Sequence, residues 1–169
     1  MIQVKNAHTT SFDAAELTLL RGWNDDIAAQ LVELSKEAEI RKYTPKDVAR
    51  RFSDVAAAHA WYKSKPHIVY TLQHKGKVGG LFWFSYEPRA ELQSDYTIGI
   101  RMYEMLRGKG LAGALIEACH EDFRKESGYA GGIWLITDDN NDRAQHIYAK
   151  HGYEVRNKKD GRVLSVRAI

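Results

Sequence analysis

Cysteine is nearly absent from this sequence, with Cys119 the single example among 169 residues. One cysteine excludes an intrachain disulfide framework and any zinc site built on cysteine pairs. The seven histidines are scattered, and no two of them show the HExxH or His-x3-His spacing of a metal site on a helix. The sequence therefore predicts that the protein uses no metal.

Long apolar runs are also missing. No stretch approaches the roughly 20 apolar residues that a membrane span needs, and the opening residues 1–6 lack the apolar core of a signal peptide. A net charge of +3 is too small to indicate nucleic-acid binding. We expect a cytoplasmic enzyme with neither a membrane nor a nucleic-acid partner.

A chain of this length suits one domain, so residues 1–169 are predicted to form a single domain, with residues 1–13 as an irregular N-terminal arm. Hydrophobic periodicity and turn signals give the element order βααα-βββ-αβαββ, which is an α+β plan. The predicted strands are Ala14–Arg21, His67–Gln73, Val78–Tyr86, Tyr96–Tyr103, Ile133–Thr137, Tyr153–Arg156 and Val163–Ala168. The predicted helices run from Asn24 to Ala38, Thr44 to Phe52, Ser53 to Lys63, Leu111 to Lys125 and Asn141 to His151.

A glycine-containing loop, Arg107-Gly108-Lys109-Gly110-Leu111-Ala112, joins a predicted strand to a predicted helix. Glycines there permit positive φ angles, and the first free N–H groups of a helix attract an anion. Arg107 and Lys109 add two cations. The loop therefore fits a pyrophosphate, although a turn that uses glycine for geometry alone would have the same sequence.

The same segment also satisfies the GxGxxG pattern of dinucleotide-binding folds, from Gly108 to Gly113. That fold requires a tight turn directly after a strand and several βα units beyond it. Here the residues between Tyr103 and Gly108 lengthen the turn, and too little chain follows Gly113 for a doubly wound sheet. A dinucleotide-binding oxidoreductase is thus the second hypothesis.

Two linked motifs give the chain a resemblance to the GNAT superfamily of acyl-CoA N-acyltransferases. Arg107, Gly110 and Ala112 match the family's (Arg/Gln)-x-x-Gly-x-(Gly/Ala) signature. Downstream, Asn141-x-x-Ala144-x-x-x-Tyr148 followed by Gly152-Tyr153 resembles its second signature. The resemblance implies a three-layer α/β/α arrangement around a mixed, centrally splayed sheet of about seven strands.

The resemblance further implies acetyl-CoA as co-substrate, with its pantetheine arm between the splayed strands. Many relatives carry a proline and an aromatic residue where this chain has Glu104 and Leu106, which leaves the path of the loop open. A homodimer is one further expectation, since dimers are common in the family. The residues implied in cofactor binding are the backbone of Met102 and Glu104, the loop residues Arg107, Gly108, Lys109, Gly110, Leu111 and Ala112, and Asn141, Ala144 and Tyr148 on the following helix.

Acyl transfer to an amine requires a neutral nucleophile, a stabilised thioester oxygen and a proton for the departing thiolate. The resemblance places Tyr148 near the sulfur, as the general acid. Glu87, Asp95 and Glu104 lie near strand ends and are candidates for the base, with Glu87 preferred. For each of them, an exposed carboxylate near a turn is the simpler explanation.

Other chemistry-bearing residues are expected to pack. Cys119 and His120 are adjacent on a helix and point in different directions, so they do not form a nucleophile–base pair. The four tryptophans are assigned to packing, with Trp83 and Tyr86 as candidates for the wall of an acceptor pocket. The acceptor is expected to be a primary amine, of a small molecule or a peptide. A protein that binds acyl-CoA without catalysis, as a sensor, is the third hypothesis.

Overall fold

The structure is a computed structural model that describes residues 16–168. The predicted N-terminal arm, residues 1–13, lies outside the described residues. Seven strands form one mixed sheet in the order β1-β2-β3-β4-β5-β7-β6. Their bounds are β1 Leu17–Arg21, β2 His67–His74, β3 Lys77–Arg89, β4 Ser94–Met102, β5 Gly132–Asp138, β6 Glu154–Lys159 and β7 Arg162–Ala168.

Helices cover both faces of the sheet, which confirms the expected α+β architecture with three layers. On one face, α1 (Asp25–Leu34) and α3 (Val55–Lys63) pack over Val69, Leu81 and Trp83. On the other, α4 (Leu111–Ser127) packs over Phe82 and Phe84, and α5 (Asp142–Lys150) contributes Ile147 and Tyr148 to the same hydrophobic cluster. The helices are α1 Asp25–Leu34, α2 Ala38–Tyr43, a π-helix Asp47–Arg51, α3 Val55–Lys63, α4 Leu111–Ser127 and α5 Asp142–Lys150, with a short 3-10 turn at Ala90–Leu92.

Local signals in the sequence fix several of these elements. The Asn24 side chain accepts a hydrogen bond from the Ile27 N–H (2.8 Å) and begins α1, as predicted. Asp54 caps α3 in the same way through the Ala57 N–H (2.8 Å). The predicted hairpin turn between β2 and β3 uses Lys75 and Gly76, both at positive φ.

The N-terminal helices differ from the prediction in two places. The single helix predicted from Asn24 to Ala38 is wrong, because α1 ends at Leu34 and Ala38 begins α2. The helix predicted from Thr44 to Phe52 is instead a five-residue π-helix, closed by the Phe52 N–H donating to the Asp47 carbonyl (2.7 Å). Both departures accompany long-range contacts, of Glu37 with Arg107 and of Asp47 with Arg101.

The parallel strands β4 and β5 separate part-way along their length. They pair only at Ser94, Tyr96 and Thr97, after which β5 continues beside β7 and β4 continues beside β3. The rest of β4 therefore has one open edge. Because the Tyr103 N–H bonds to Gly79 of β3, the alternating pattern turns the backbone of Ile98, Ile100 and Met102 toward the gap.

No helix between residues 16 and 168 is long and apolar enough to cross a membrane. The same residues contain no group of three or more His, Cys, Asp or Glu side chains that could hold a metal ion.

Candidate active site

A cavity of about 980 Å³ opens where β4 and β5 separate. Its floor is the open part of β4 and the neighbouring residues of β3, and its walls come from α2, the π-helix, α3, β5 and α5. Ligand sites commonly lie where strands diverge, because side chains from several elements converge there. Its lining includes Arg51, Trp61, Lys65, His67, Trp83, Glu87, Thr97, Gly99, Arg101, Met102, Arg107, Ala112, Trp134, Asn141, Ala144 and Tyr148.

The glycine loop adjoins this cavity and opens helix α4. Gly108 and Gly110 have φ angles of +78° and +72°, and Gly110 is the N-cap of α4. A Cβ at either position would meet nothing within 4 Å, so it is the left-handed backbone that requires glycine there. A second cavity of about 210 Å³ lies between this loop and α5, lined by Gly108, Gly110 and Ala112 among others.

The side chain of Arg107 is held by protein groups. Its Nε donates to the Met102 carbonyl (3.1 Å) and its Nη2 donates to Oε2 of Glu37 (2.6 Å). Arg107 thus fastens the glycine loop to the end of β4 and to the break between α1 and α2. The guanidinium supports the loop in this arrangement, whereas the sequence assigned it to the phosphates.

At the end of β4, the backbone of Met102 and the backbone of Glu104 lie in different surroundings. The Met102 backbone faces the gap, where the sequence-based prediction placed a cofactor contact. The Glu104 N–H, predicted to contact the cofactor as well, instead donates to both carboxylate oxygens of Glu37 (3.0 and 2.9 Å). Glu104 is itself exposed and does not line the cavity.

Helix α5 brings Asn141, Ala144 and Tyr148 to the cavity wall, as predicted from the second motif. The Asn141 side chain accepts from the Ala144 N–H (3.2 Å) and caps the helix. The Tyr148 hydroxyl makes no hydrogen bond with any residue from 16 to 168. Burial raises the pKa of Tyr148 to about 12, against the opposing charge of Arg101, so the phenol stays protonated at neutral pH.

The three candidate bases lie in different surroundings. Glu87 lines the cavity and is ion-paired with Lys65. Asp95 lies at the start of β4, where its N–H donates to the Tyr129 hydroxyl (2.8 Å), and like Glu104 it does not line the cavity. The geometry therefore keeps Glu87 of the original three.

His67 is a further candidate base that the sequence reasoning missed. Its Nδ1 lies 3.1 Å from the Tyr62 carbonyl, which can only accept, so Nδ1 carries the proton and Nε2 has a lone pair. Nε2 is buried and has no hydrogen-bond partner among residues 16–168. Burial also lowers the pKa of His67, which leaves the ring neutral and able to accept a proton. A lone histidine at the start of a strand gives no sequence signal for this role.

A buried ion-pair cluster forms one end of the cavity and was also missed. Asp47 is 0% exposed and accepts from Arg101 Nε (2.6 Å) and Arg51 Nη1 (2.9 Å). Burial opposes ionisation of Asp47, but the two guanidiniums outweigh it and hold its pKa below the ordinary value. The guanidiniums of Arg101 and Arg51 lie 4.9 and 5.8 Å from the ring centroid of Trp83.

Comparison with protein families supplies the deciding observation. A family model described as the acetyltransferase (GNAT) family matches residues 29–153, well over half of the chain. The chain belongs to the GNAT acetyltransferase family. It is accordingly an acyl-CoA-dependent N-acyltransferase. A comparison with curated proteins found no match.

Solved structures share the GNAT fold with this chain at low sequence identity. The aminoglycoside acetyltransferase AAC(6')-Ib, in complex with paromomycin and acetyl-CoA, has a TM-score of 0.72 and 19% identity over 90% of this chain and 93% of that one. A chimera of the Vibrio cholerae spermidine N-acetyltransferase SpeG has a TM-score of 0.69 and 17% identity over 90% and 95%. A putative phosphinothricin N-acetyltransferase has a TM-score of 0.70 and 16% identity over 90% and 98%.

Membership of the GNAT family removes the dinucleotide hypothesis, and the sheet gives the physical reason. Among the strands of residues 16–168 only β4 and β5 run parallel, whereas a doubly wound sheet is built from successive parallel units. The residues present fit an acyl-CoA: an open strand edge, a loop with left-handed glycines at a helix N-terminus, and a large adjoining cavity.

The structure tests the predictions made for Cys119 with His120 and for Trp83 with Tyr86. Cys119 is buried, and His120 Nε2 lies 2.9 Å from the Tyr153 hydroxyl, so the two do not form a catalytic pair. Trp83 lines the large cavity as predicted. Tyr86 does not, because it lies on the opposite face of β3, where its ring contacts Tyr96 (centroids 5.5 Å apart).

Proposed function

We propose that this GNAT protein transfers an acetyl group from acetyl-CoA to a primary amine, of a small molecule or a peptide, by direct attack in a ternary complex. The observation that carries the proposal is the open edge of β4, because it joins the glycine loop to the large cavity in one continuous surface. Two of the structural neighbours are named for acetylation of amines, an aminoglycoside and spermidine, which supports an amine acceptor.

The backbone of β4 would bind the pantetheine arm of acetyl-CoA, and the glycine loop would bind its pyrophosphate. The N–H groups of Ile100 and Met102 on the open edge of β4 would pair with carbonyl groups of the pantetheine arm, as an added strand does. The carbonyls of these two residues already accept from Arg101 and Arg107. The N–H groups at the start of α4, with Gly108 and Gly110 in left-handed conformations, would hold the pyrophosphate. Acetyl-CoA supplies the activated acyl carbon and a thiolate leaving group.

The acceptor has to lose a proton before it attacks, because an alkyl ammonium has a reference pKa near 10.4. The nearby guanidiniums of Arg51 and Arg101 would lower that pKa, since like charges disfavour the ammonium form. Among the cavity residues, Glu87 and His67 are our candidates for accepting the proton. The amine nitrogen then bonds to the acyl carbon, and a backbone N–H of the open β4 edge would stabilise the oxygen.

Tyr148 would serve the leaving group. As the carbon–sulfur bond breaks, the thiolate takes a proton or a strong hydrogen bond from the phenol. With the pKa of Tyr148 at about 12 and an ordinary thiol near 8.5, complete transfer is uphill by about 5 kcal/mol. The phenol would therefore act mainly by hydrogen bonding to the developing charge until solvent protonates the thiolate.

Turnover with a panel of primary amines tests the proposal. Release of the coenzyme A thiol should require both acetyl-CoA and an amine, and mass spectrometry should find the N-acetylated amine. Initial rates at several concentrations of both substrates should give intersecting reciprocal plots, as a ternary complex requires. Binding of acetyl-CoA without turnover of any amine would favour a silent acyl-CoA sensor instead.

A further inference from the structure

The walls of the large cavity are strongly cationic. Eight lysine and arginine residues line it, against only three carboxylates, Glu39, Glu87 and Asp138, among the described residues. Glu87 is already paired with Lys65, and Asp138 with Arg162. Three of the arginines are paired from behind the wall, Arg51 and Arg101 with Asp47 and Arg107 with Glu37, so the wall keeps a smaller net positive charge. An acceptor that carried further ammonium groups would meet a wall of net positive charge, and like charges disfavour its binding.

Part of this positive charge belongs to the cofactor end of the cavity. Arg107 begins the glycine loop, where phosphates would bind, and Arg143 faces that loop from the first turn of α5. Arg51 lies elsewhere, on the π-helix and over Trp83. The cation of Arg51 is therefore not explained by acyl-CoA binding.

Arg51 is held in place yet keeps donors for a ligand. Its Nη1 donates to the buried carboxylate of Asp47 (2.9 Å), which fixes the direction of the guanidinium. Its Nε and Nη2 make no hydrogen bond with any residue between 16 and 168, and the side chain is 34% exposed. Arg101 shares the same carboxylate but is only 12% exposed and also donates to the Ile100 carbonyl (2.8 Å).

The guanidiniums of Arg51 and Arg101 already cover the Trp83 ring in the cavity wall. Aromatic rings in an acceptor pocket could bind an amine cation by their faces. Here the Trp83 ring lies across Gly99, whose added Cβ would be 2.0 Å from Cζ2 of the indole. Its face is covered by Arg101 and Arg51, at 4.9 and 5.8 Å. The cavity wall at Trp83 therefore favours an anion over an amine cation.

We propose that the acceptor is a primary amine that also carries an oxyanion, a carboxylate or a phosphoryl group, and that Arg51 binds this oxyanion through its Nε and Nη2 donors. A planar guanidinium held by Asp47 matches a carboxylate or a phosphate with two parallel hydrogen bonds. The inference rests on the proposed function and names the substrate class for the same cavity.

Matched acceptors test the inference on the wild-type protein. Each set contains primary amines of one carbon skeleton that end in a carboxylate, a phosphonate, a neutral carboxamide or a second ammonium. The oxyanion members should have kcat/KM values about tenfold or more above those of the amide and the diamine. The carboxylate and phosphonate members then distinguish the two kinds of oxyanion. Equal values, faster turnover of diamines, or no turnover of any oxyanion member would overturn the inference.

A pair of variants locates the effect at Arg51. R51Q should reduce the preference for the oxyanion member over its amide by about tenfold. R50Q removes the same charge from the neighbouring exposed residue, which does not line the cavity, and should keep the preference. If R51Q and R50Q behave alike, Arg51 is not the anchor. If R51Q fails to fold, the wild-type comparison still decides the substrate class.

Calorimetric titration of acetyl-CoA separates failure of the inference from failure of the proposed function. The wild type and both variants should bind acetyl-CoA with similar affinity, because Arg51 lies away from the glycine loop. Acetyl-CoA binding with a preference for neutral or dicationic amines removes only the inference. Absence of acetyl-CoA binding together with absence of any turnover removes the proposed function as well.

Discussion

Glu37 and Arg107 form an ion pair of 2.6 Å that ties the break between α1 and α2 to the glycine loop. The same carboxylate accepts the N–H of Glu104 at the end of β4. Both side chains are largely shielded from water, with 16% and 21% of their surfaces exposed. The loop predicted to hold a pyrophosphate is thus fixed by protein contacts before any ligand binds.

Replacement of Arg107 by alanine should destabilise the protein even without cofactor. It leaves the Glu37 carboxylate without its guanidinium and the Met102 carbonyl without a donor, so the free energy of unfolding should fall by about 1–3 kcal/mol. R41A removes an exposed arginine from α2 and should change it by less than about 0.5 kcal/mol. Urea unfolding measures both. Equal stability of the two variants would show that Arg107 has no supporting role.

The G110A variant should lose both stability and cofactor affinity. An alanine at φ +72° costs about 1–2 kcal/mol, and relief of that strain would turn the first N–H groups of α4 away from the phosphates. G76A is the matched control, since Gly76 has φ +77° and equally open surroundings but lies in the β2–β3 turn. Both should unfold at lower urea concentration, and only G110A should bind acetyl-CoA about tenfold more weakly. Equal affinity would contradict the assignment of the loop.

The Y148F variant should lower kcat with little change in acetyl-CoA affinity. Removal of a group that stabilises the leaving thiolate costs about 10²-fold in rate. Y153F is the control, because the Tyr153 hydroxyl is committed to His120 and lies outside the cavity lining. Y153F should lose about 1 kcal/mol of stability and keep its kcat. Steady-state kinetics compare the two, and an unchanged kcat in Y148F would assign Tyr148 to packing.

Acid should destabilise the protein through His120. Burial, with the charge of Arg167, lowers the pKa of His120 to about 3, below the reference value near 6.5. Between these values the unfolded chain binds a proton that the folded protein does not, so stability falls as pH falls below about 6.5. The contribution of His120 between pH 7 and pH 5 is about 2 kcal/mol.

Urea unfolding at both pH values measures this effect. H120L should be less stable at pH 7, because the Tyr153 hydroxyl loses its partner, but its loss between pH 7 and pH 5 should be smaller by about 2 kcal/mol. H146L replaces an exposed histidine on α5 and should keep the wild-type pH dependence. An unchanged pH dependence in H120L would contradict the account of His120. The lowered pKa of His67 acts in the same direction, so some acid sensitivity should remain.

The sequence predicted those features whose signals are local. The cap at Asn24, the hairpin turn at Gly76, and the helical spacing of Leu111, Leu115, Cys119 and Phe123 gave the elements and the face of α4 that packs on the sheet. The two linked motifs located the glycine loop at the start of α4 and the helix that carries Tyr148 on the cavity wall. Each of these depends on residues a few positions apart, where geometry follows from periodicity.

The parts that were not predicted depend on residues far apart in the chain. The Glu37–Arg107 pair spans 70 positions and the Asp47–Arg101 pair spans 54. Periodicity favoured one helix through Ala38, but α1 ends at Leu34, and Glu37 in the break contacts Arg107 and Glu104. The burial of Asp47 against two arginines accompanies a π-helix where an α-helix was expected. No local pattern reveals such ion pairs, so the Asp47 cluster at one end of the cavity emerged only from the structure.

Calorimetric titration of the purified protein with acetyl-CoA, and separately with NADH, tests the central claim most directly. The claim is that the glycine loop and the open edge of β4 form an acyl-CoA site. It predicts saturable binding of acetyl-CoA, one molecule per chain, and no heat of binding with NADH beyond that of dilution. Saturable binding of NADH together with no binding of acetyl-CoA would contradict it.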